Sequence, residues 1–309
     1  MEKTLKVFAI IVTYKGRQWY DRCFSSLQES TIPVEIVVID NASGDGSVDF
    51  IQGRFPQIKL ICSDKNLGFG QANNLGMRYA LDNGCDYVFL LNQDAWVEPD
   101  TIEKLIDIHS RNRDYGILSP IHLTPDKYSI EKGLLTYLDD YKTTDRAFFE
   151  DLYFDRVKDL YQSSFINAAV WLLPRITLET VGGFDPIFFH YEEDDNYLQR
   201  VLYHNLKVGI CPLATAIHDC NNKGVRVYSS EEAERRRLSS LLVRYTDVTK
   251  DVSIGKNLLY YLRKAAISFL RGQFKDSRRY LSDLFYIHSK KKAIAFSLST
   301  NRETGPKWL

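Results

Sequence analysis

Four polar groups in this 309-residue chain, one of them a pair, stand at or near the ends of apolar runs. Asp40 closes the run 35–40, Asn92 and Asp94 follow 87–91, Asp194 lies in the acidic group 192–195, and His218 ends 214–218. A carboxylate beside a hydroxyl can take its proton, and a carboxylate with an imidazole can hold a divalent cation. Each position alone has a plainer explanation. Asp40 suits a helix cap, and acidic residues opening a helix gain about 0.3–1 kcal/mol from its dipole. A single histidine after a strand is commonly surface or core.

Such residues act together only if a scaffold brings the run ends to one edge. The solid apolar stretch 87–91 reads as a strand buried on both faces of a mainly parallel sheet. Runs at 7–13, 35–40, 58–62 and 115–123 alternate with helical spacing, which predicts βαβ units and an α/β, Rossmann-like fold: a mainly parallel sheet sandwiched by helices. In such folds the crevice above the strands' C-terminal ends binds ligands. Further strands are expected at 165–173, 207–211 and 214–218. Ser47, Asp100 with Glu103, and Ser229 with Glu232 read as helix starts. The glycine-rich stretch 66–76 opens a helix, but Asn73 stands where a dinucleotide fingerprint needs Gly or Ala.

The organisation expected is an α/β domain over 1–223 that carries these polar positions, with an insertion at about 124–164, and a helical extension over 224–309. The tail, 297–309, reads as poorly ordered. Lys plus Arg total 40, as do Asp plus Glu, so no global charge points to nucleic acid. Cys23, Cys62, Cys85, Cys211 and Cys220 lack metal-type spacing and read as reduced thiols of a cytoplasmic protein. The apolar run 7–12 is too short for a signal core, and no stretch approaches the ~20 apolar residues of a membrane span.

Seven motifs stand in order: Ile11-Val12-Thr13-Tyr14, Val38-Ile39-Asp40-Asn41-Ala42-Ser43, Asn66-Leu67-Gly68-Phe69, Leu91-Asn92-Gln93-Asp94, Gly182-Gly183-Phe184-Asp185, Glu193-Asp194 with Arg200, and His218. Over about 7–218 the chain resembles the family-2 glycosyltransferases of the GT-A fold, in the branch that includes bacterial rhamnosyltransferases and galactofuranosyltransferases. The resemblance implies that Thr13, Tyr14 and Asp40 hold the nucleotide base, with Asn66 and Gly68 near the nucleoside and phosphates. Asp94 matches the last Asp of the family's metal motif, His218 a later metal ligand, and Asp194 the catalytic base. The implied cofactor is Mg²⁺ or Mn²⁺. Asn92 stands where the fuller motif has Asp, which leaves it a donor-side ligand and the metal site one carboxylate short. Trp171, His190, Tyr191 and Glu193 are expected on the acceptor side.

The implied reaction is inverting transfer of a sugar, from a dTDP- or UDP-sugar, to a hydroxyl of a cell-surface glycan or lipid-linked precursor. Two other classes share the crevice. A sugar nucleotidyltransferase wants a glycine-rich basic loop after the first strand, which Tyr14-Lys15-Gly16-Arg17 supplies poorly; a non-catalytic sugar-nucleotide or glycan-binding module has no need of both Asp94 and Asp194. Past the motifs, ten Lys or Arg between 256 and 292 meet only Asp276 and Asp283. Leu258, Leu262, Ala265 and Phe269 share one helical face there. It is expected to pack on the first domain or in a homodimer, or to make peripheral contact with the inner face of a membrane at roughly 1 kcal/mol per engaged base.

Overall fold

The computed structural model describes residues 5–139, 145, 147–220 and 229–309. The expected boundary after Lys223 lies outside them. β1 (Val7–Thr13), α1 (Arg17–Gln28), β2 (Glu35–Asp40), α2 (Ser47–Arg54), β3 (Lys59–Cys62), α3 (Phe69–Asp82) and β4 (Tyr87–Leu91) alternate as the apolar runs predict. Next come β5 (Ala95–Val97), α4 (Thr101–Arg111), β6 (Tyr115–Leu123), α5 (Lys132–Asp139), α6 (Ala147–Tyr153), β7 (Tyr161–Ser163), β8 (Val170–Pro174) and α7 (Arg175–Thr180). The chain continues through α8 (Glu193–Tyr203), β9 (Lys207–His218), α9 (Ser230–Tyr245), α10 (Ile254–Leu270) and α11 (Phe274–Arg302).

The strands form one sheet in the order β3-β2-β1-β4-β8-β6-β9-β5, with β7 paired to β9. β1 to β4 are mutually parallel, β8 runs against both β4 and β6, and β9 runs with β6. The C-terminal ends of β1, β2, β4, β6 and β9 therefore share one edge. Burial explains why these runs are continuous: apolar clusters cover both faces of the sheet, one including α1 and α4 and the other α3, α7 and α8. Gly76 lets α3 lie directly on the sheet, since a Cβ there would stand 2.4 Å from Ile10 and 2.8 Å from Ile39.

Several local expectations need correction. The runs 207–211 and 214–218 are one strand, β9, whose register against β6 jumps from Cys211 to Thr215. Pro212 lacks the N–H a continuous ladder needs, so the chain bulges there and exposes Leu213. The strand foreseen at 165–173 begins only at Val170. Ser47 is not the cap of α2: Gly46 is, at φ 83°, and Ser47 donates its N–H and hydroxyl to Asp45. Asp100 caps α4 without a side-chain bond, pairing with Lys104 instead, while Ser229 accepts from Glu232 N–H as its spacing predicts.

The tail is ordered by specific contacts. Lys307 C=O accepts from Gly183 N–H at 2.8 Å, Trp308 Nε1 donates to Asn301 at 2.7 Å, and Leu309 packs on the core beside Gly183. Helices α9, α10 and α11 share an apolar cluster with Phe188.

Candidate active site

The shared strand edge collects most of the polar positions picked out by their spacing. At the ends of β1 and β2, Asp40 is buried, accepting from Ser43 N–H at 3.1 Å and from the Thr13 hydroxyl at 3.4 Å. Thr13 is itself fully buried and also bonds Ile39 C=O, so its side chain orients Asp40. Tyr14 is 41% exposed, leaving a ring face open to stacking. Its backbone is clamped by Gln93, which accepts from Tyr14 N–H at 2.9 Å and donates to its C=O at 3.2 Å.

Asn66 accepts from Gly68 N–H and from Asn41 Nδ2, which locks the entry to α3. Gly68 sits at φ 79°, and a Cβ there would lie 1.8 Å from Phe189 C=O, so only glycine lets this turn touch the segment that leads to the acidic group.

Asp94 and His218 meet where β4 and β9 end. Asp94 Oδ1 lies 3.6 Å from His218 Nε2, and the backbone of Asp94 accepts from Asp219 N–H. Burial works against a charge on His218, yet Asp94, with Glu131 and Asp219 beyond, raises its basicity above the usual value. Two ligands of one divalent ion at about 2.0–2.2 Å stand roughly 3–4 Å apart. The donor pair therefore fits a shared cation, with Asn92, half-buried on the same edge, offering no charge. Behind His218 lie His122, its basicity pushed down to about 3 by burial and by His218, and the buried Glu131. One ligating atom from each of His122, Glu131 and His218 comes within 4.8 Å of the others.

The acidic group opens α8. Tyr191 and Glu192, just before it, hold φ 72° and 68°, consecutive non-glycine residues in the left-handed region. Strain of this kind persists where surroundings over-determine it, and they do here. Asn74 of α3 bonds both the N–H and C=O of Phe184; buried Arg200 donates to Val181 and Gly183 C=O; Tyr197 donates to Gly182 C=O. Asp185 accepts from Ser297 and Asn301 of α11, and Ile187 N–H bonds its other oxygen. The result is a fixed platform for three carboxyl groups. Burial raises the Asp194 carboxyl above the usual range although Asp195 and Ala168 N–H groups bond it, and burial with neighbouring charge pushes Glu193 and Asp195 up to about 8. Tyr137, from α5 of the insertion, is pushed up to about 12 by burial and by the charges of Asp194 and Glu131.

On the other rim His190 is half-buried, 3.8 Å from Glu193, and Tyr191 donates to Glu232 of α9 under the Arg236 guanidinium. Trp171 is different. It is fully buried and stacks on Phe184 beside Tyr197, so its expected place beside an acceptor is corrected: β8 is a central strand and turns this side chain into the core. Gln93, His122, Glu131 and Tyr137 had no assigned role from spacing. Only a histidine inside an apolar strand, at 122, was a signal; Glu131 and Tyr137 lie in a stretch without periodicity.

Residues 8–160 match the pattern described as Glycosyl transferase family 2. The chain belongs to that family. As a family 2 glycosyltransferase it is 24% identical over 222 residues, 72% of this chain and 71% of the relative, to the dTDP-rhamnosyl transferase RfbF of Shigella flexneri. It is 30% identical over 209 residues, 60% of this chain and 66% of the relative, to N-acetylglucosaminyl-diphospho-decaprenol L-rhamnosyltransferase of Mycobacterium tuberculosis. Among solved structures, S. aureus TarS 1-349 in complex with UDP-GlcNAc aligns with TM-score 0.56 at 12% identity, covering 96% of this chain and 90% of that one. GalNAc-T7 with UDP, GalNAc and Mn²⁺ aligns with TM-score 0.57 at 15% identity, covering 94% and 58%. Likeness at this identity speaks for the fold alone, and that fold is the GT-A arrangement the motifs imply, here carrying additional C-terminal helices.

Proposed function

We propose that this glycosyltransferase moves a sugar, with inversion, from a nucleoside diphosphate donor to a hydroxyl of a cell-surface glycan or lipid-linked precursor. The observation that carries this is one sheet edge presenting three things together: a nucleoside corner at Tyr14, Asp40, Asn66 and Gly68, a cation-type pair at Asp94 and His218, and a rigidly held carboxyl with raised proton affinity at Asp194. The relative named as a dTDP-rhamnosyl transferase favours a dTDP-linked donor.

Tyr14 offers a stacking face to the base and Asp40 an acceptor for a base N–H. Asp94 and His218 would hold Mg²⁺ or Mn²⁺, which supplies positive charge against the diphosphate. Asp194 accepts the acceptor hydroxyl's proton as its oxygen bonds the anomeric carbon and the bond to the diphosphate breaks. A proton affinity raised above that of an ordinary carboxylate by burial makes the carboxylate a stronger base for this task. Glu193, His190 and Tyr191 border the acceptor side. Domain 1–223 would hold the chemistry and 224–309 would cover the acceptor rim, as the Tyr191 to Glu232 bond suggests.

A panel of nucleotide sugars with Mn²⁺ tests this by release of nucleoside diphosphate and by thermal shift. At least one donor should stabilise the protein and turn over. Asp194→Asn should lose about 10²- to 10⁴-fold in turnover while still binding donor. Unchanged turnover in that variant removes the assigned base, and a panel without binding or release removes the function.

A further inference from the structure

His122, Glu131 and His218 form a buried cluster of their own behind the donor-side pair. His122 lies near the end of β6, His218 at the end of the neighbouring parallel β9, and Glu131 just before α5, where its carboxylate accepts from Gly133 and Leu134 N–H at 2.7 and 2.9 Å. The rings meet edge to face with centroids 6.0 Å apart. Exposure is 0% for His122, 3% for Glu131 and 6% for His218, and a ligating atom from each lies within 4.8 Å of the other two. His122 Nε2 is engaged by the Ser119 hydroxyl at 3.1 Å, while Nδ1 of His122 and Nδ1 of His218 are buried with no hydrogen-bond partner among the described residues. A buried polar atom left unpaired costs about 1–3 kcal/mol, so two beside a buried carboxylate point to something that fills the space between.

We propose that His122, Glu131 and His218 form a second cation site, selective for Zn²⁺ and similar transition metals, and that filling it withdraws His218 from Asp94. Two imidazoles and one carboxylate are a donor set that zinc takes readily and that the hard cations Mg²⁺ and Ca²⁺ disfavour. A neutral imidazole has one lone pair and one N–H. His218 therefore serves one ion at a time, and zinc in this site opposes a hard cation at Asp94. The Cys220 thiol donates to Glu131 at 3.0 Å and stands next to the cluster. The inhibition rests on the donor-side role of His218 proposed above, whereas zinc binding itself does not.

The test uses the full chain, stripped of metal and titrated with Co²⁺ as a spectroscopic stand-in, then with Zn²⁺. The protein should develop visible d–d bands that zinc abolishes. His122→Asn and Glu131→Gln, the second of which keeps an acceptor for the α5 N–H groups, should each weaken zinc binding about 100-fold with unchanged circular dichroism; Asp94→Asn should keep the bands. In Mn²⁺-supported release of nucleoside diphosphate, zinc should inhibit the wild type and spare His122→Asn. No bands, bands unaltered in both cluster variants, or bands lost only in Asp94→Asn would overturn the site. Intact cobalt spectra with no nucleoside diphosphate release from any donor would instead count against the transferase reading of the donor side.

Discussion

Glu193, Asp194 and Asp195 place three carboxyl groups in the first turn of α8, and burial rather than any single neighbour dominates all three proton affinities. For Glu193 this has a consequence for stability. Its ordinary value is 4.5 and it is pushed up to about 8 in the folded protein, with Oε2 buried and unpaired. Below the ordinary value both states are protonated and stability is full. Between the two values the unfolded chain has released the proton and the native state has not, so stability falls as pH rises until the folded carboxyl also ionises. Glu193→Gln should flatten the decline in urea midpoint between about pH 5 and about pH 8. The same slope in both proteins would show that Glu193 ionises freely.

At the scale of elements, the platform under α8 depends on a helix far along the chain. Asp185 is buried and bonded to Ser297 and Asn301 of α11, and His204 bonds Asn301 C=O. Asn301→Ala removes donors from a buried carboxylate and should cost about 1–3 kcal/mol in urea unfolding, more than a surface change. A loss below about 0.5 kcal/mol would mean that α11 does not brace the turn. Helix α10 differs from the pattern its apolar residues suggest. Leu262 and Phe269 are exposed, and the face that packs runs through Leu258, Tyr261, Ala265 and Ser268. Helical spacing identifies which residues share a face but not which of two apolar stripes meets the neighbour, and here the contact with α11, where Ser277 donates to Ala265 C=O, selects the smaller side chains.

For the whole molecule, that choice leaves Leu259, Leu262, Phe269, Leu270, Phe274 and Phe285 exposed on helices rich in Lys and Arg. Among the described residues no helix is long and apolar enough to cross a membrane. An apolar surface rimmed by bases suits peripheral contact with anionic lipid, where four or five engaged residues contribute roughly 1 kcal/mol each. Sedimentation with liposomes should therefore retain the protein on anionic vesicles, lose it at high salt, and weaken for Phe269→Ser combined with Leu270→Ser. Binding that ignores both salt and lipid charge sinks this contact; a concentration-dependent dimer disrupted by the same pair of changes would assign the surface to a second copy instead.

The sequence by itself determined the alternating strands and helices of 7–123, the parallel edge they build, and the polar residues at β1, β2, β4 and β9, because burial on both faces writes a continuous apolar run that any neighbouring strand leaves intact. It also marked the glycine at 68, since a backbone that close to another chain segment excludes every side chain. Tertiary structure alone decided the rest. Whether Thr13 and Trp171 face the crevice or the core depends on which strands flank β1 and β8. Tyr137, Glu131 and His122 reach the site only through the insertion and the pairing of β6 with β9, contacts between residues whose local patterns are unrelated. The tail is ordered because Gly183, distant in sequence, bonds Lys307 C=O, while Trp308 bonds back to Asn301 at the end of α11. Local spacing encodes the elements; the groups they bring together depend on how those elements pack.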